Sequence, residues 1–359
     1  MLKGILKKGF NHVHSNPSIR NNKMIKVKKE GVVLRKEGLA FENESVLNPA
    51  VIKEGDMIHV FYRAVRIRNY SSIGYCKFDT PLTVKERWDK PVLSPDFEYE
   101  SHGMEDPRIV KIDGTYYLTY VAFDGDNALG ALATSTDLKH FKKHGIIVPK
   151  IKYADFDRYT KTKIELNEKY LRYNRGAKVL ADKDLVFFPR RINGKLIFLH
   201  RIKPDIQITG ITSLEELTKA FWVDYFLHFD KYIFLAPKYP HEVSYVGSGC
   251  PPIETEQGWL IIYHGVKDVI KGYEYSCCAA LMDIDDPQKE IARLPYPLFK
   301  PELDYELAGD VDDVCFPTGT VIVGDKLYIY YGAADELIAC ASVSLSGLLE
   351  ELLKNKTTG

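Results

Sequence analysis

Residues 105–123 read EDPRIVKIDGTYYLTYVAF, and this stretch predicts one β-hairpin. An apolar strand leads to Asp113-Gly114, and a second strand rich in Tyr and Leu follows the pair. Asp-Gly between two such runs is a strong short-range hairpin signal, because both residues accept the backbone of a tight turn. The chain repeats this pattern in four more segments: 48–65, 187–202, 249–266 and 315–335. Five similar hairpins indicate a repeat architecture.

The hairpin turns recur at intervals of about 58, 80, 64 and 67 residues, which is long enough for four strands with long loops. Further strand-like runs lie between the hairpins, at 72–79, 128–137, 276–287 and 336–344. We therefore expect an all-β fold, a five-bladed β-propeller over residues 31–359 with a C-terminal helix. Residues 1–30 are expected to form a basic N-terminal arm. Two stacked β-sandwiches are an alternative that explains the repeat less well.

A proline accompanies the first strand of every hairpin. Proline has no N–H to donate and fixes φ, so we expect each one at the start of its strand rather than in the middle. Its recurrence at one place in the pattern supports five equivalent units. The prolines are Pro49, Pro107, Pro189, Pro251 with Pro252, and Pro317.

Helical periodicity is scarce. Only residues 213–221 and 345–355 have apolar side chains at a 3.6-residue period, the first with Ser213 as N-cap and Glu216 completing a capping box. Residues 150–181 form a long polar insertion, and loops of this length usually carry function. We expect this insertion and the N-terminal arm to contact the leaving group of a substrate or to mediate homo-oligomer contacts.

The composition excludes several classes of protein. Lys plus Arg and Asp plus Glu both number 49, so no net charge favours nucleic acid or an anionic membrane. The six cysteines lie in apolar or strand-like runs without CxxC or zinc-like spacing, which predicts buried, reduced thiols. No segment has the apolar stretch of a signal peptide or the roughly 20 apolar residues of a membrane span. We expect a cytoplasmic protein.

Polar residues at the hairpin ends are the candidates for a functional site, because equivalent ends of the innermost propeller strands converge on one channel. Each has an ordinary structural interpretation as well: a turn in which Asp pairs with Arg, a turn residue, or a satisfied core histidine. Their joint occurrence at equivalent positions favours a shared cavity. The candidates are Asn48, Arg63, Asp106, Arg108, Lys183, Arg201, His264 and Asp335.

Carboxylates together with cations suit glycosyl transfer. Transfer with inversion needs an acid for the leaving oxygen and a nucleophile on the opposite face of the sugar. Water would need a second carboxylate as base, whereas phosphate is already anionic and needs cationic donors. Asp106 is the acid candidate, and Lys183, Arg201 and His264 are candidates for holding an oxyanion.

The hairpin motifs closely resemble glycoside hydrolase family 130, in the right order and from about residue 48 to the C-terminus. They read FYRAV (61–65), MEDPRIVKIDGTYYLTY (104–120), FFPRRINGKLIFLHR (187–201), GCPPIETEQGWLIIYHGV (249–266) and FPTGTVIVGDKLYIYYGAAD (316–335). The resemblance implies a five-bladed propeller acting on β-mannosides, mostly as an inverting phosphorylase that yields α-mannose 1-phosphate. In a minority of members it implies an inverting hydrolase of β-1,2-mannosides.

The resemblance also implies roles for individual residues. Asp106 matches the family's acid, whose proton reaches the leaving oxygen through a hydroxyl of the bound mannose. The family's basic residue before the third hairpin corresponds to Lys183 or its neighbour Asp182. Sugar-holding positions match Asn48, Arg63 and Asp335, and phosphate-holding positions match Arg201 and His264.

Two residues depart from the family pattern. Tyr245 lies where phosphorylases generally have Lys, and a phenol can donate one hydrogen bond to phosphate but brings no positive charge. A phosphate site would lose about 1–3 kcal/mol of charge-assisted binding. Arg190, where many members have Glu, adds a cation that would compensate. Glu242 is the nearest candidate for a water-activating base.

The leading hypothesis is a β-mannoside phosphorylase that uses phosphate as co-substrate and needs no metal or organic cofactor. Hydrolysis of β-1,2-mannosides and sugar binding without catalysis are the alternatives. Asp106 would be the acid. Phosphate would be bound by Lys183, Arg201, His264 and Tyr245, and mannose by Asn48, Arg63, Arg108 and Asp335.

Overall fold

The computed structural model describes residues 24–160, 169–170 and 179–357, which are mostly β-structure, as the sequence predicts. The strands form five antiparallel units, and each of the five predicted hairpins lies in one of them. Unit 1 contains β2 (Ser45–Glu54), β3 (Met57–Arg66), β4 (Tyr70–Thr80) and β5 (Thr83–Arg87). Unit 2 contains β6 (Gly103–Ile112), β7 (Thr115–Phe123), β8 (Ala128–Ser135) and β9 (Lys142–Ile146).

Units 3 to 5 follow the same antiparallel order. Unit 3 contains β10 (Lys183–Phe187), β11 (Leu196–Arg201), β12 (Ile206–Ile211) and β13 (Ile233–Leu235). Unit 4 contains β14 (Tyr245–Ser248), β15 (Ile253–Thr255), β16 (Gly258–Val269), β17 (Gly272–Met282) and β18 (Glu290–Arg293). Unit 5 contains β19 (Cys315–Val323), β20 (Lys326–Ala333) and β21 (Leu337–Ser344), together with β1 (Lys28–Leu34).

The strand β1 pairs antiparallel with β21, so a strand from near the N-terminus completes the last unit. Residues 28–30 of the predicted arm belong to this strand, and residues 1–23 lie outside the described residues. Units 1 and 2 are joined into one sheet by a single parallel pairing, Ser71 with Gly103. The described part of the chain therefore has four sheets built from five units.

The core consists of five apolar clusters, each between two units. Four lie between successive units, as where Phe61 of unit 1 packs in one cluster with Leu118 of unit 2. The fifth joins unit 5 back to unit 1 and includes Tyr330 and Val60. All six cysteines are buried and unbridged, as predicted.

Bulges interrupt the first strands of four units. The pairing register skips two residues at Asn48 in β2, at Asp106 in β6 and at Asp184 in β10, and it shifts again beside Pro317 in β19. Pro49 and Pro107 lie within the bulges, Pro317 lies inside β19 and Pro189 follows β10, so the expectation of a proline at the start of each first strand was wrong for these four. A bulge leaves residues outside the ladder, which removes the need for the proline N–H.

The α-helices whose two ends lie within the described ranges are α1 (Tyr153–Thr160), α2 (Lys219–Leu227), α3 (Asp304–Leu307) and α4 (Leu345–Lys354). Helix α4 matches the predicted C-terminal helix, and the Ser344 hydroxyl accepts from the Gly347 N–H. The predicted helix at 213–221 was wrong in position: Leu214–Glu216 is a 3-10 turn, and α2 begins after Thr218, whose side chain provides the cap. None of the helices among the described residues has the length and apolarity that crossing a bilayer requires.

The insertion at 150–181 is described in part. Its residues 161–168 and 171–178 lie outside the described residues. Phe156 of α1 and Tyr170 are buried in the cluster between units 2 and 3, together with Phe226 and Phe229. These aromatic contacts attach the described part of the insertion to the segment between β12 and β13 of unit 3.

Lys29 in β1 forms a buried ion pair with helix α3. Its Nζ lies 2.5 Å from Oε1 of Glu306, a fully buried carboxylate, and 4.5 Å from the centre of the Phe299 ring. The neighbouring Lys28 is exposed and pairs with Glu30 of its own strand. Lys29 and Lys28 are adjacent in sequence, but the first forms a buried ion pair and the second an exposed one, so Lys28 is a suitable control for Lys29.

We expect Lys29→Met to lower the free energy of unfolding by about 3 kcal/mol, because it leaves the Glu306 carboxylate buried without its cation. Urea denaturation followed by circular dichroism measures this change. Lys28→Met is the control and should change the free energy by less than about 0.5 kcal/mol. Equal effects of the two substitutions would contradict the importance of the β1 contact with α3.

Candidate active site

A cavity of about 180 Å³ lies where the first strands of the units end, and all five units contribute to its wall. Unit 3 supplies three cationic side chains, and units 1, 2 and 5 supply the carboxylates and the amide. The lining residues are Asn48, Arg63, Asp106, Lys183, Arg201, Lys203, Tyr245, Tyr275, Val311, Val314, Phe316 and Asp335. Seven of the nine sequence-predicted site residues are among them.

Left-handed backbone turns the polar side chains of the bulges toward this cavity. Asn48 has φ of 48° and Asp106 has φ of 46°, values that Asn and Asp adopt more readily than other non-glycine residues. Asp335, in the turn after β20, has φ of 53°. Gly332 is required beside Asn48, since a Cβ at that position would lie 1.9 Å from the Asn48 Oδ1. The local sequence therefore fixes where these three polar groups lie.

The Asp106 carboxylate is buried among donors and cations. Asn48 Nδ2 donates to its Oδ1 at 2.7 Å, Arg63 Nη1 lies 3.7 Å from Oδ1, and Lys183 Nζ lies 3.8 Å from Oδ2. Burial disfavours ionisation, but Lys183, Arg63 and Arg108 and the Asn48 hydrogen bond outweigh it and hold the pKa of Asp106 below its usual range. The carboxylate is ionised in the free protein at neutral pH.

Asp335 has the opposite behaviour in the same cavity. Burial raises its pKa to about 6, and the negative charges of Asp106 and Asp310 act in the same direction against the attraction of Arg63 and Lys183. The two carboxylates of the cavity wall therefore titrate in separate pH ranges.

Two of the cationic side chains are held by buried carboxylates. Arg201 Nη1 lies 2.8 Å from Oδ2 of Asp184, which is fully buried. Arg63 Nη2 donates to Glu105 Oε1 at 2.8 Å. These pairs fix the guanidinium groups in place before any ligand arrives.

His264 lies behind the cavity wall rather than on it. Its ring is fully buried, packs 4.4 Å from the Phe316 ring, and accepts a hydrogen bond from Arg201 Nη1 at Nε2 over 3.2 Å. Burial and then Arg201 hold its pKa well below the usual range, so the ring is neutral and able to accept. His264 therefore lies beside Arg201 and helps to position it, and its direct contact with phosphate stays a prediction.

Arg108 also lies outside the wall. Its guanidinium is buried and donates to three backbone carbonyls: Gly249 at 3.0 Å, Ser248 at 3.1 Å and Asp106 at 2.6 Å. Arg108 therefore lies behind the wall with its donors directed to the backbone of unit 4, and its contact with mannose stays a prediction. It ties the left-handed Asp106 backbone to the end of β14.

The structure separates the two candidates for the basic residue before the third hairpin. Lys183 lines the cavity, whereas Asp182 is buried and accepts from His200 Nδ1 at 2.9 Å. Lys183 is paired directly across the sheet with Arg201, so both side chains lie on the same face. This pairing explains why two cations meet in one cavity.

Sequence reasoning missed Lys203, Tyr275 and Phe316. Lys203 lies two residues beyond Arg201, in the turn after β11, where strand alternation no longer predicts the direction of a side chain. Tyr275 and Phe316 lie in apolar strand runs that are indistinguishable by pattern from core. Tyr275 bonds the Tyr245 hydroxyl through its own hydroxyl.

Among the described residues, one set of metal-type ligands lies close together, away from the cavity: His241, Glu242 and Cys278. Glu242 Oε1 already accepts from the Tyr263 hydroxyl at 2.5 Å, and Oε2 lies 3.3 Å from Arg293 Nη1. A carboxylate occupied in this way has little remaining capacity for an ion.

The chain is similar to known proteins in sequence and in fold. The glycoside hydrolase family 130 model, described as beta-1,4-mannooligosaccharide phosphorylase, matches residues 19–354. The chain belongs to this family. The family predicted from the hairpin motifs is thereby confirmed.

Several family 130 proteins resemble this chain. It is 35% identical over 320 residues to the Beta-1,2-mannobiose phosphorylase of Thermoanaerobacter sp. (strain X514), covering 84% of this chain and 91% of the relative. It is 33% identical to the 1,2-beta-oligomannan phosphorylase of the same strain, covering 90% and 99%. The solved Beta-1,2-mannobiose phosphorylase from Listeria innocua has a TM-score of 0.70 at 22% identity, covering 91% and 99%, which shows a shared fold.

Two residues that bear on the family 130 reactions lie away from the cavity wall. Glu242, considered as a water-activating base, is fully buried, and its Oε2 also accepts from the backbone N–H groups of Lys238 and Tyr239. Arg190, considered as a compensating cation, forms a bidentate pair with Glu254 at 2.8 Å. Neither residue contributes to the charge of the cavity.

We expect Asp335→Asn to remove a pH dependence of stability. With its pKa raised from 3.8 to about 6, Asp335 in the wild type contributes stability that is fully present below pH 4 and lost as the pH rises through 6. The difference in the free energy of unfolding between wild type and variant should therefore change by about 3 kcal/mol over this range. Urea denaturation of both proteins from pH 3.5 to 7.5 measures it, and a pH-independent difference would contradict the raised pKa.

Proposed function

We propose that this family 130 chain is an inverting β-mannoside phosphorylase that transfers mannose to phosphate and yields α-mannose 1-phosphate. The charge of the cavity wall is the observation that carries the proposal. Four cationic side chains (Arg63, Lys183, Arg201, Lys203) line the wall with two carboxylates (Asp106, Asp335), so cationic donors outnumber carboxylates on its surface. Arg63 and Arg201 keep Glu105 and Asp184 as partners, and their remaining N–H donors together with the two lysines can hold a phosphate anion, whereas an attacking water needs no such cluster.

We further propose that the five units are the blades of a five-bladed β-propeller. The apolar clusters between successive units, and the one between unit 5 and unit 1, support a closed ring. In such a ring the ends of the first strands converge on the axis. This arrangement accounts for a cavity to which all five units contribute.

The substrate proposed is a β-1,2-linked mannobiose or oligomannan. Two relatives that are 35% and 33% identical to this chain are named as phosphorylases of β-1,2-mannobiose and 1,2-β-oligomannan. The family description instead names β-1,4-mannooligosaccharides. Both linkages therefore belong in the assay, and the proposed reaction uses no metal or organic cofactor.

Asp106 is the proposed acid. A phosphate oxygen forms a bond to C1 of mannose while the bond from C1 to the leaving oxygen breaks, and the proton of Asp106 passes through a mannose hydroxyl to that oxygen. The remaining proton of hydrogen phosphate then restores Asp106. Asp106 is ionised in the free cavity, and phosphate competing for Lys183 would raise its pKa enough for it to carry a proton.

We expect the wild-type protein to consume β-1,2-mannobiose only when phosphate is present. The cavity offers cations for a bound anion but places Glu242, the considered base, elsewhere. Phosphorus NMR identifies α-mannose 1-phosphate, and carbohydrate chromatography detects free mannose. Sulfate at the same ionic strength is the control and should support no turnover.

Release of two mannose molecules without phosphate would overturn phosphorolysis and favour hydrolysis. Binding of mannobiose without any turnover would favour a sugar-binding protein. Testing β-1,4-mannobiose in parallel separates a wrong linkage from a wrong reaction.

We expect Asp106→Asn to lower kcat by about 10²- to 10⁴-fold, because it removes the proton donor while the amide keeps the hydrogen-bonding shape. Asn tolerates the left-handed backbone at this position. Asp113→Asn is a matched control: Asp113 has φ of 49°, is exposed in the β6–β7 turn and pairs with Arg191 at the surface. Its kcat should stay within about twofold of wild type. A loss below about tenfold for Asp106→Asn would contradict the acid role.

A further inference from the structure

Lys203 lies on the cavity wall beside the cations that the sequence predicts to hold phosphate. It follows Arg201 by two residues at the end of β11, and both side chains line the same space with Lys183. Its side chain is half-buried, so its ammonium group is partly removed from water. Three cations of one unit thus surround a common volume.

The Tyr245 ring supports two of these cations. Lys203 Nζ lies 3.9 Å from the ring centre and the Arg201 guanidinium carbon lies 5.2 Å from it. A cation over an aromatic face is attracted by the ring quadrupole, more strongly where water is excluded. The hydroxyl of Tyr245 is bonded to that of Tyr275, so the ring is fixed at its far end.

Lys203 differs from the other three cations in its partners. Arg63 pairs with Glu105, Arg201 pairs with Asp184, and Lys183 lies 3.8 Å from Asp106. Within the described ranges, Lys203 has no carboxylate at ion-pair distance. Its charge is therefore the one in this cavity that a ligand anion can neutralise without breaking an existing pair.

The electrostatics of the cavity favour the binding of an anion beside Lys203. Burial, followed by the charges of Arg201 and Lys183, lowers the pKa of Lys203 to about 7 against the attraction of Asp184. A bound anion would favour the charged form and restore the proton. Burial of Lys203 beside two other cations is unfavourable in the free protein, and a bound anion relieves this repulsion, which strengthens its binding.

We propose that Lys203 is a phosphate-binding residue of this cavity and that the Tyr245 ring holds its ammonium group in position. The inference rests on the proposed phosphorolysis for the identity of the anion. It assigns to Tyr245 a supporting role, because a buried phenol bonded to Tyr275 presents its ring face to the cations. Lys203 also supplies the positive charge that Tyr245, at the position where phosphorylases generally have Lys, does not bring.

The test measures anion binding apart from catalysis. Calorimetry of the wild-type protein with sulfate and with inorganic phosphate, without mannoside, gives the two dissociation constants. We expect Lys203→Met to weaken both by about 10- to 100-fold, as loss of a charge-assisted interaction does. In turnover the KM for phosphate should rise by a similar factor, while the KM for mannobiose stays within about threefold.

Four further variants separate binding from folding. Lys203→Arg keeps the charge and should recover most of the anion affinity. Tyr245→Leu removes the ring face and should weaken anion binding by about tenfold, whereas Tyr245→Phe keeps the face and should weaken it less. Lys195→Met, an exposed lysine at the start of β11, controls for loss of positive charge from unit 3.

The outcomes distinguish the two proposals. Unchanged anion dissociation constants in Lys203→Met, or a wild-type protein that binds neither anion, would overturn the assignment of Lys203. Wild-type turnover without phosphate would overturn the phosphorylase proposal, whatever the anion measurements show. Anion affinity lost in Lys203→Met and regained in Lys203→Arg supports the assignment.

Discussion

The site depends on a backbone constraint, the left-handed bulge in the first strands of units 1, 2 and 3. At Asn48, Asp106 and Asp184 the chain leaves the regular ladder and adopts positive φ, which directs a short polar side chain out of the alternating pattern. Asn and Asp tolerate this conformation at lower cost than other side chains, so the bulge selects residues that also have acceptor oxygens. The choice of Asn or Asp at these positions therefore determines both the backbone conformation of the bulge and the polar atoms that the side chain offers.

The bulges also arrange the charges around the cavity. Asp184 lies behind the wall and holds Arg201, whereas Asp106 lies on the wall among Lys183, Arg63 and the Asn48 amide. A buried carboxylate that faces several cations stays ionised, and one that faces fewer takes up a proton at higher pH. Asp106 and Asp335 illustrate the two cases, with pKa shifts in opposite directions. The preorganised cations are stabilised by the protein and need no reorganisation when an anion arrives.

Much of the fold could be predicted because the hairpin signals are local: a turn pair such as Asp113-Gly114 between apolar runs specifies its own strands. The candidate site was predictable where a polar residue broke an apolar strand, as at Asp106. The directions of Arg108 and His264 were not, because a bulge changes the alternation and buried neighbours decide which polar groups a side chain meets. Lys203 was missed because it lies beyond the strand end, where pattern analysis stops.

The reaction that the cavity favours depends on how its cationic side chains are held. Arginines paired with buried carboxylates have fixed positions but little spare charge, and a lysine without such a pair has spare charge but needs something to hold its position. An aromatic ring meets this need without neutralising the cation, since its quadrupole attracts the ammonium group and leaves its N–H donors available. The Tyr245 ring beneath Lys203 holds the ammonium group without neutralising it. As a direct ligand Tyr245 would bind phosphate more weakly than a lysine does, but as a support for Lys203 it strengthens the phosphate site.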